Sequence, residues 1–208
     1  YEKINKMEIP IVLADRVPVN TSIDAITINY KESSTIVSEY LIEKGYKRFV
    51  IISTKPNNPN STLTIRHNAV LDVCSQKLGV DYLCESIYIR NKELTYSKEL
   101  DHRIENILKV EYENSKKIPT AIFITDNTLM GRFICSCNLL KISMSDKFTI
   151  SGYDFSNYSN LINSKIITIN HPILEVGRVA TELLIDRIET EEIKEETIYK
   201  VLRCNINF

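Results

Sequence analysis

Glycine is scarce in this chain, with five residues in 208. Neither of the glycine loops that cradle phosphate groups, G-x-G-x-x-G and G-x-x-x-x-G-K-[ST], occurs in the sequence. The nucleophile motif G-x-S-x-G, the zinc motif H-E-x-x-H and a paired Cys-x-x-Cys are absent as well. These absences argue against phosphate binding by a glycine loop and against the common hydrolase and metalloprotease mechanisms.

Neither sign of charge dominates, because 26 basic residues are balanced by 27 acidic ones and no long run of either occurs. Such a surface is not made for a phosphate backbone, which needs clustered Lys and Arg. No apolar run approaches the roughly 18 residues that span a bilayer, and the first ten residues lack the apolar core of a secretory signal. We therefore expect a cytoplasmic protein without membrane contact, in which this part of the chain does not itself bind DNA.

The residues that often mark catalytic or metal sites are few and scattered. The five cysteines are an odd number spread over different predicted elements, and we expect reduced structural thiols in a reducing cytosol. The three histidines, His67, His102 and His171, are far apart in the sequence and are expected to be ordinary surface or helix-start residues. No metal or cofactor is expected.

Apolar segments and helical patterns alternate along the chain. Helical patterns lie at about 32–44, 63–78, 98–112 and 127–140, and a further helix has Pro172 in its first turn. The first is predicted to end at Lys44-Gly45, where a basic last turn is followed by glycine. Repeated βα units with apolar strands predict an α/β fold, with parallel sheets covered by helices on both faces. The predicted strands are 9–14, 48–53, 85–89, 120–125 and 148–151.

The start of the chain departs from this alternation. The strand at 9–14 is followed, after a short polar connection, by a second strand-like piece at 25–28. A parallel neighbour normally needs a crossover of a dozen or more residues, and this connection is too short to hold a helix. The two pieces are therefore not expected to form an ordinary βαβ unit, and the chain is expected to begin inside a fold.

Asp15, Asp126 and Asp154 stand at the carboxyl ends of predicted strands, and Arg66 opens the helix that follows the predicted strand 48–53. Each alone is more often a helix cap or a solvated turn residue. Together they occupy positions that converge on one crevice in an open α/β sheet. Carboxylates that accept and a guanidinium that donates in a fixed plane suit a polyhydroxylated ligand. We therefore predict that the aspartate turn of "TAIFITDNTLMG" binds hydroxyl groups rather than phosphate.

Six segments of the chain follow one another in an order known from a protein family. They are "IPIVLADR", "YLIEKGYKRFVII", "STLTIRHNAV", "PTAIFITDNTLMG", "FTISGYD" and "ITINHPILEVGRVATELL". In this order, over residues 9 to 184, they resemble the effector-binding core of the lactose-repressor/galactose-repressor (LacI/GalR) family of bacterial transcriptional regulators. The resemblance implies a two-lobed periplasmic-binding-protein-like fold that binds a sugar or sugar-like effector between its lobes, without catalysis and without a cofactor.

The same resemblance implies a domain division and partners. Residues 1–30 and 171–195 correspond to the remnant of an incomplete N-terminal lobe, and residues 31–170 and 196–208 to a C-terminal lobe. Family members pair as homodimers. They contact operator DNA through an N-terminal helix-turn-helix, which is absent from this chain.

The residues that the resemblance assigns to the effector form a polar and an apolar set. Thr125 and Asp126 stand where the family has an Asn-Asp pair, of which the Asn is usually the ligand contact. Because Thr125 offers one hydroxyl in place of a two-ended amide, a ligand other than the common sugars, or a weakened site, is compatible with the sequence. The implied contacts are Asp15, Arg66, Thr125, Asp126 and Asp154 as polar residues and Ile28, Ile173 and Val176 as apolar ones.

Two other classes of protein stay open at this point. A free-standing extracytoplasmic sugar-binding protein shares the fold but needs an export signal. A small α/β enzyme is favoured by the carboxylate-rich crevice and opposed by the lack of a nucleophile–base pair.

Overall fold

The structure is a computed structural model that describes residues 9–16, 22–54, 61–79, 83–90, 97–153, 166–190 and 196–208. Its elements, in chain order, are β1 (Val12–Asp15), β2 (Asp24–Ile28), α1 (Tyr30–Glu43), β3 (Arg48–Thr54), α2 (Thr62–Leu78), β4 (Leu83–Ile89), α3 (Lys98–Ser115), β5 (Thr120–Ile124), α4 (Asn127–Leu139), β6 (Phe148–Tyr153), β7 (Ile167–Asn170), α5 (Ile173–Glu189), β8 (Tyr199–Leu202) and β9 (Asn205–Asn207). The predicted α/β class is confirmed. Within the described ranges, no helix is long and apolar enough to cross a membrane.

The chain divides into two compact units. Unit 1 comprises Tyr1–Asn29 and His171–Cys204, and unit 2 comprises Tyr30–Asn170 and Asn205–Phe208. Each unit has its own sheet, and in each the described helices contribute buried apolar side chains.

Unit 1 contains a parallel sheet with the strand order β1-β2-β8. The helix α5 contacts β1 and β2, and its buried side chains Val176, Val179 and Leu183 recur at helical spacing. Residues 196–204, which the sequence assigned to the C-terminal lobe, lie in unit 1 because Tyr199–Leu202 pairs with β2.

The strands β1 and β2 are parallel neighbours, with Val12 opposite Asp24 and Asp15 opposite Thr27. The segment between the two strands is too short for the helix of an ordinary βαβ unit, and yet the strands pair. This is possible because a four-residue strand rises only about 13 Å, which is the distance that the connection must cover along the strand direction. The connecting residues 16–23 have an extended reach of about 26 Å, which is enough to return to the start of the next strand.

Unit 2 contains a six-stranded sheet with the order β4-β3-β5-β6-β7-β9, in which only β9 is antiparallel to its neighbour. Every residue of the central strands β5 and β6 is buried. Alternate side chains of a strand point to opposite faces. Val50, Ile122 and Ile150 pack on one face in a cluster with residues of α3 and α4. Tyr153, at the end of β6, lies on the opposite face, where its hydroxyl contacts Ser33 and Ser34 of α1.

The helix α1 ends where the sequence predicts, at Lys44-Gly45. Gly45 has a φ of +93°, its N–H donates to the carbonyl of Ile42 at 2.9 Å, and the N–H of Tyr46 donates to the carbonyl of Leu41 at 3.1 Å. These two bonds form a Schellman motif, which satisfies carbonyls that the end of a helix leaves without partners.

Candidate ligand-binding site

The carboxyl ends of three neighbouring strands in unit 2 meet at one edge of the sheet, and the polar turn after β5, Thr125-Asp126, contains no glycine. Because β3, β5 and β6 are parallel neighbours, Ser53, Thr125 and Tyr153 lie at the same edge of the sheet. Thr125 is fully buried, its N–H donates to the carbonyl of Ile52 at 3.0 Å, and its hydroxyl donates to Ser53 Oγ at 2.9 Å. The turn after β5 is therefore held by side-chain and backbone hydrogen bonds to β3.

Arg66 lies one turn into α2 and is 5 % exposed. The helix starts at Ser61, whose side chain accepts the N–H of Thr64 as an N-cap. The Nη1 of Arg66 donates to the carbonyl oxygen of Thr125 at 2.8 Å. The structure therefore brings together two of the predicted site residues, Arg66 and Thr125.

The guanidinium of Arg66 lies between two aromatic rings. Its central carbon is 4.4 Å from the ring centroid of Tyr30 and 3.9 Å from that of Tyr153. A planar guanidinium favours such stacking, which combines cation–π attraction with apolar contact. The rings and the bond to Thr125 hold the plane of the guanidinium in one orientation.

The ring of Tyr153 is positioned by the first turn of α1. Its hydroxyl donates to the carbonyl of Tyr30 at 3.1 Å and lies 3.1 Å from Ser33 Oγ and 2.9 Å from Ser34 Oγ. Tyr153 is fully buried, so these contacts satisfy its polar atom inside the unit. Sequence reasoning did not select Tyr30 or Tyr153; the signal that could have found Tyr153 is its place at the end of the strand in "FTISGYD".

The residue before Tyr153 must be glycine for a steric reason. Gly152 has a φ of +144°, and a Cβ at this position would overlap the backbone oxygen of Ile124 on the neighbouring strand. Only glycine tolerates both that φ and that close approach. The glycine therefore lets β6 lie against β5 at the edge where the ring of Tyr153 meets Arg66.

Asp126 caps the helix α4. Its carboxylate accepts the N–H of Thr128 at 2.9 Å and the N–H of Leu129 at 3.2 Å, and the residue is partly exposed. These are the contacts of a helix cap, the role that the sequence left open beside ligand binding.

In unit 1, Asp15 has an unusual backbone conformation at the end of β1. Its φ is +68°, and the N–H of Arg16 donates to the carbonyl of Ala14 at 3.0 Å. A three-residue turn with positive φ at its centre is rare and strained, although Asp tolerates it better than most residues. Thr27 Oγ1 donates to the carbonyl of Asp15 at 3.1 Å. Strain of this kind at a predicted ligand contact is typical of functional sites.

The three apolar residues of the predicted site lie in unit 1. Ile28 in β2 and Val176 in α5 are 5 % and 6 % exposed, whereas Ile173 at the start of α5 is 60 % exposed. Asp154 lies outside the described residues.

His67, the neighbour of Arg66 on α2, is buried rather than at the surface. Its Nε2 lies 2.9 Å from Ser86 Oγ, and its Nδ1 lies 3.2 Å from the hydroxyl of Tyr88. Burial lowers the pKa of His67 below the usual value. These contacts attach α2 to the edge strand β4.

The chain matches proteins of known family. Residues 38–205 match the family described as periplasmic binding protein-like domain. The chain is 25 % identical over 206 residues to a probable HTH-type transcriptional regulator EndR of Paenibacillus polymyxa, a match that covers 99 % of this chain and 57 % of that protein. It is 26 % identical over 199 residues to catabolite control protein A of Priestia megaterium, covering 95 % and 55 %. The chain thus spans little more than half the length of these relatives.

The fold is similar to that of a periplasmic binding protein/LacI transcriptional regulator from Alkaliphilus metalliredigens QYMF, solved in complex with D-xylulofuranose. The TM-score is 0.71 and the identity 19 %, with 100 % of this chain and 72 % of that chain covered. A likeness at this identity concerns the fold alone. Because its residues 38–205 match that family, the chain belongs to the periplasmic binding protein-like domain family, and it matches the effector-binding core of LacI/GalR-type transcriptional regulators.

Proposed function

We propose that this chain is the ligand-sensing part of a bacterial transcriptional regulator, which transmits the presence of a small molecule to a DNA-binding head elsewhere in the protein. The observation that carries the proposal is the match over 99 % of the chain to a relative named as a helix-turn-helix regulator. The chain corresponds to 57 % of that relative, so the relative contains a further segment with room for such a head.

We propose that the ligand is a sugar or a sugar-like polyhydroxylated molecule. The predicted site offers carboxylates at Asp15 and Asp126 and the planar guanidinium of Arg66, a set that suits adjacent hydroxyl groups. A neighbour of the same fold is complexed with D-xylulofuranose, which is a sugar. The apolar residues that the resemblance implies, Ile28, Ile173 and Val176, are of a type that suits contact with the carbon atoms of a sugar.

The part played by Thr125 is indirect in this proposal. Its hydroxyl donates to Ser53, and its carbonyl accepts from Arg66. Thr125 therefore orients the guanidinium rather than reading a hydroxyl group of the ligand, and Asp126 is the residue of the turn whose carboxylate is partly exposed.

Calorimetric titration and thermal melting with a panel of pentoses, hexoses and sugar phosphates test the ligand class. We expect at least one panel member to bind and to stabilise the chain by about 2.7 kcal/mol at one hundred times its Kd. The variant Asp15→Asn is a suitable probe, because Asn tolerates a positive φ and has nearly the same shape, while it removes the charge and replaces one acceptor oxygen with an NH2 donor. Its affinity for that sugar should fall, and a thermal melt of the variant without ligand checks that it is folded.

Two outcomes would contradict the proposal. Chemical turnover of a bound sugar, detected by analysing the recovered ligand, would identify an enzyme instead. Tight, salt-sensitive binding of duplex DNA by residues 1–208 alone would show that this part of the protein is itself the DNA-binding part.

A further inference from the structure

The face of β4 that packs on α2 carries a cysteine opposite a cysteine of that helix. Ser86 and Tyr88 both contact His67 of α2. Alternate residues of a strand share a face, so Cys84 lies on the same side of β4 as Ser86 and Tyr88. Cys74 follows His67 by seven residues, which places it two turns further along the same face of α2.

The spacing along the two elements brings the thiols together. Because α2 connects the parallel strands β3 and β4, it runs against the direction of β4. Cys74 lies about 10.5 Å further along the helix axis than His67, because seven helical residues separate them. On β4, His67 contacts the strand midway between Ser86 and Tyr88. Cys84 comes three residues before that point, which is a distance of about 10 Å. The two cysteines therefore face each other where α2 packs on β4, close enough for each thiol to shift the pKa of the other.

The two thiols have different surroundings. Cys74 is fully buried, whereas Cys84 is partly exposed on the edge strand of the sheet. The hydrogen bond between them raises the pKa of Cys74, as burial also does. The same bond lowers the pKa of Cys84, and the positive charge of Arg48 acts in the same direction. Cys84 is thus the thiol that more readily becomes a nucleophilic thiolate.

We infer that Cys84 is a site of oxidation by peroxide and that Cys74 resolves the product into a disulfide between α2 and β4. The Cys84 thiolate attacks one oxygen of hydrogen peroxide, the O–O bond breaks, and the leaving hydroxide takes a proton to become water. The Cys74 sulfur then attacks the sulfenic sulfur of Cys84 and releases its proton, and the S–O bond breaks with loss of a second water. Two thiols are oxidised, one peroxide is reduced, and a thiol reductant reverses the change.

The test treats the reduced chain with hydrogen peroxide, blocks the remaining thiols and maps tryptic peptides without reduction. Cleavage after Arg66, Lys77 and Arg90 places Cys74 in the peptide 67–77 and Cys84 in the peptide 78–90. We expect these two peptides to be linked, with the intact mass lower by about 2 Da. Cys135, which is exposed, and Cys137, whose pKa burial raises to about 12, serve as internal comparisons.

Matched variants separate the roles of the two sulfurs. Cys84→Ser should abolish the linked peptide and leave Cys74 as a thiol, and Cys74→Ala should leave Cys84 as a sulfenic acid that dimedone traps. Cys135→Ser should form the linked peptide as the wild type does. Consumption of Cys135 ahead of Cys84, or oxidation of Cys84 in the wild type without the linked peptide, would overturn the inference. The mapping of the wild type needs no variant to fold and no ligand, so its outcome is independent of the proposed function.

Discussion

Arg66 shows how a single side chain combines geometry with charge. Its guanidinium stacks between Tyr30 and Tyr153 and donates to Thr125, contacts that depend on a plane with a fixed fork of donors. Lysine keeps the charge and loses both features. We therefore expect Arg66→Lys to weaken binding of a panel sugar tenfold or more, about 1.4 kcal/mol, measured by calorimetric titration. The matched control is Arg178→Lys, at an exposed position of α5; equal affinities of the two variants would contradict the prediction.

Arg48 and Glu111 form a bidentate ion pair in unit 2. Arg48 Nε donates to Oε2 at 2.9 Å and Nη2 to Oε1 at 3.1 Å, and the side chain of Glu111 is 5 % exposed. Hydrogen bonding to Glu111 also raises the pKa of Arg48. Arg48→Met would leave a buried carboxylate without its guanidinium, so we expect the free energy of unfolding in urea to fall by about 3–5 kcal/mol.

The control for this prediction is the exposed pair of Arg178 and Glu182 on α5, which are 59 % and 60 % exposed. Exposed pairs at this helical spacing contribute roughly 0.3–0.5 kcal/mol, so Arg178→Met should change the unfolding free energy little. Similar losses in the two variants would show that the burial of Glu111 has no energetic consequence.

His67 predicts how stability depends on pH. Burial lowers its pKa, so at mildly acidic pH the unfolded chain binds a proton that the folded chain does not. The contribution of His67 to stability is therefore complete above the unfolded pKa of about 6.5 and is lost as the pH falls below it. The free energy of unfolding in urea should change less between pH 7 and pH 5 in His67→Gln than in the wild type. Equal changes in His67→Gln and in the wild type would contradict the prediction.

At the scale of one element, the end of α1 depends on a residue that adopts positive φ. Gly45 has a φ of +93°, and no atom lies within 4 Å of the place where a Cβ would stand. A side chain at this position would therefore destabilise the protein through backbone strain rather than through collision. We expect Gly45→Ala to lower the unfolding free energy by about 1–2 kcal/mol.

A second glycine provides a control of opposite sign. Gly177 lies inside α5, where a Cβ also meets nothing within 4 Å. Because glycine in a helix interior is less favourable than alanine, Gly177→Ala should raise the unfolding free energy by roughly 0.5–1 kcal/mol. Destabilisation by both substitutions would contradict the assignment of the motif at Gly45.

At the scale of the whole molecule, exposed apolar side chains of unit 1 predict association. Leu174 is 91 %, Ile188 63 % and Tyr199 56 % exposed. Such surfaces drive association when they are contiguous, and we expect the 208-residue chain to self-associate in solution. Light scattering on material verified by intact mass tests this, and a stable monomer of 24.0 kDa would contradict it.

The sequence by itself determined the features that depend on short-range chemistry. The alternation of apolar runs with helical stripes predicted five helices near their observed bounds, and Lys44-Gly45 predicted the end of α1. Asp126 was recognised as a possible helix cap, a contact that involves only its next few residues. The order of six segments also identified the family, because that order is a property of the chain rather than of its packing.

Only the tertiary structure decided which distant residues meet. The stack of Tyr30, Arg66 and Tyr153 joins side chains from α1, α2 and β6, and no local pattern indicates that they share one site. The inclusion of β8 in unit 1 follows from its pairing with β2, which the apolar pattern of a short strand leaves open. The placement of Cys74 opposite Cys84 depends on the register between a helix and an edge strand. Sequence patterns specify the inward face of each element, whereas sheet order and packing decide which element lies opposite.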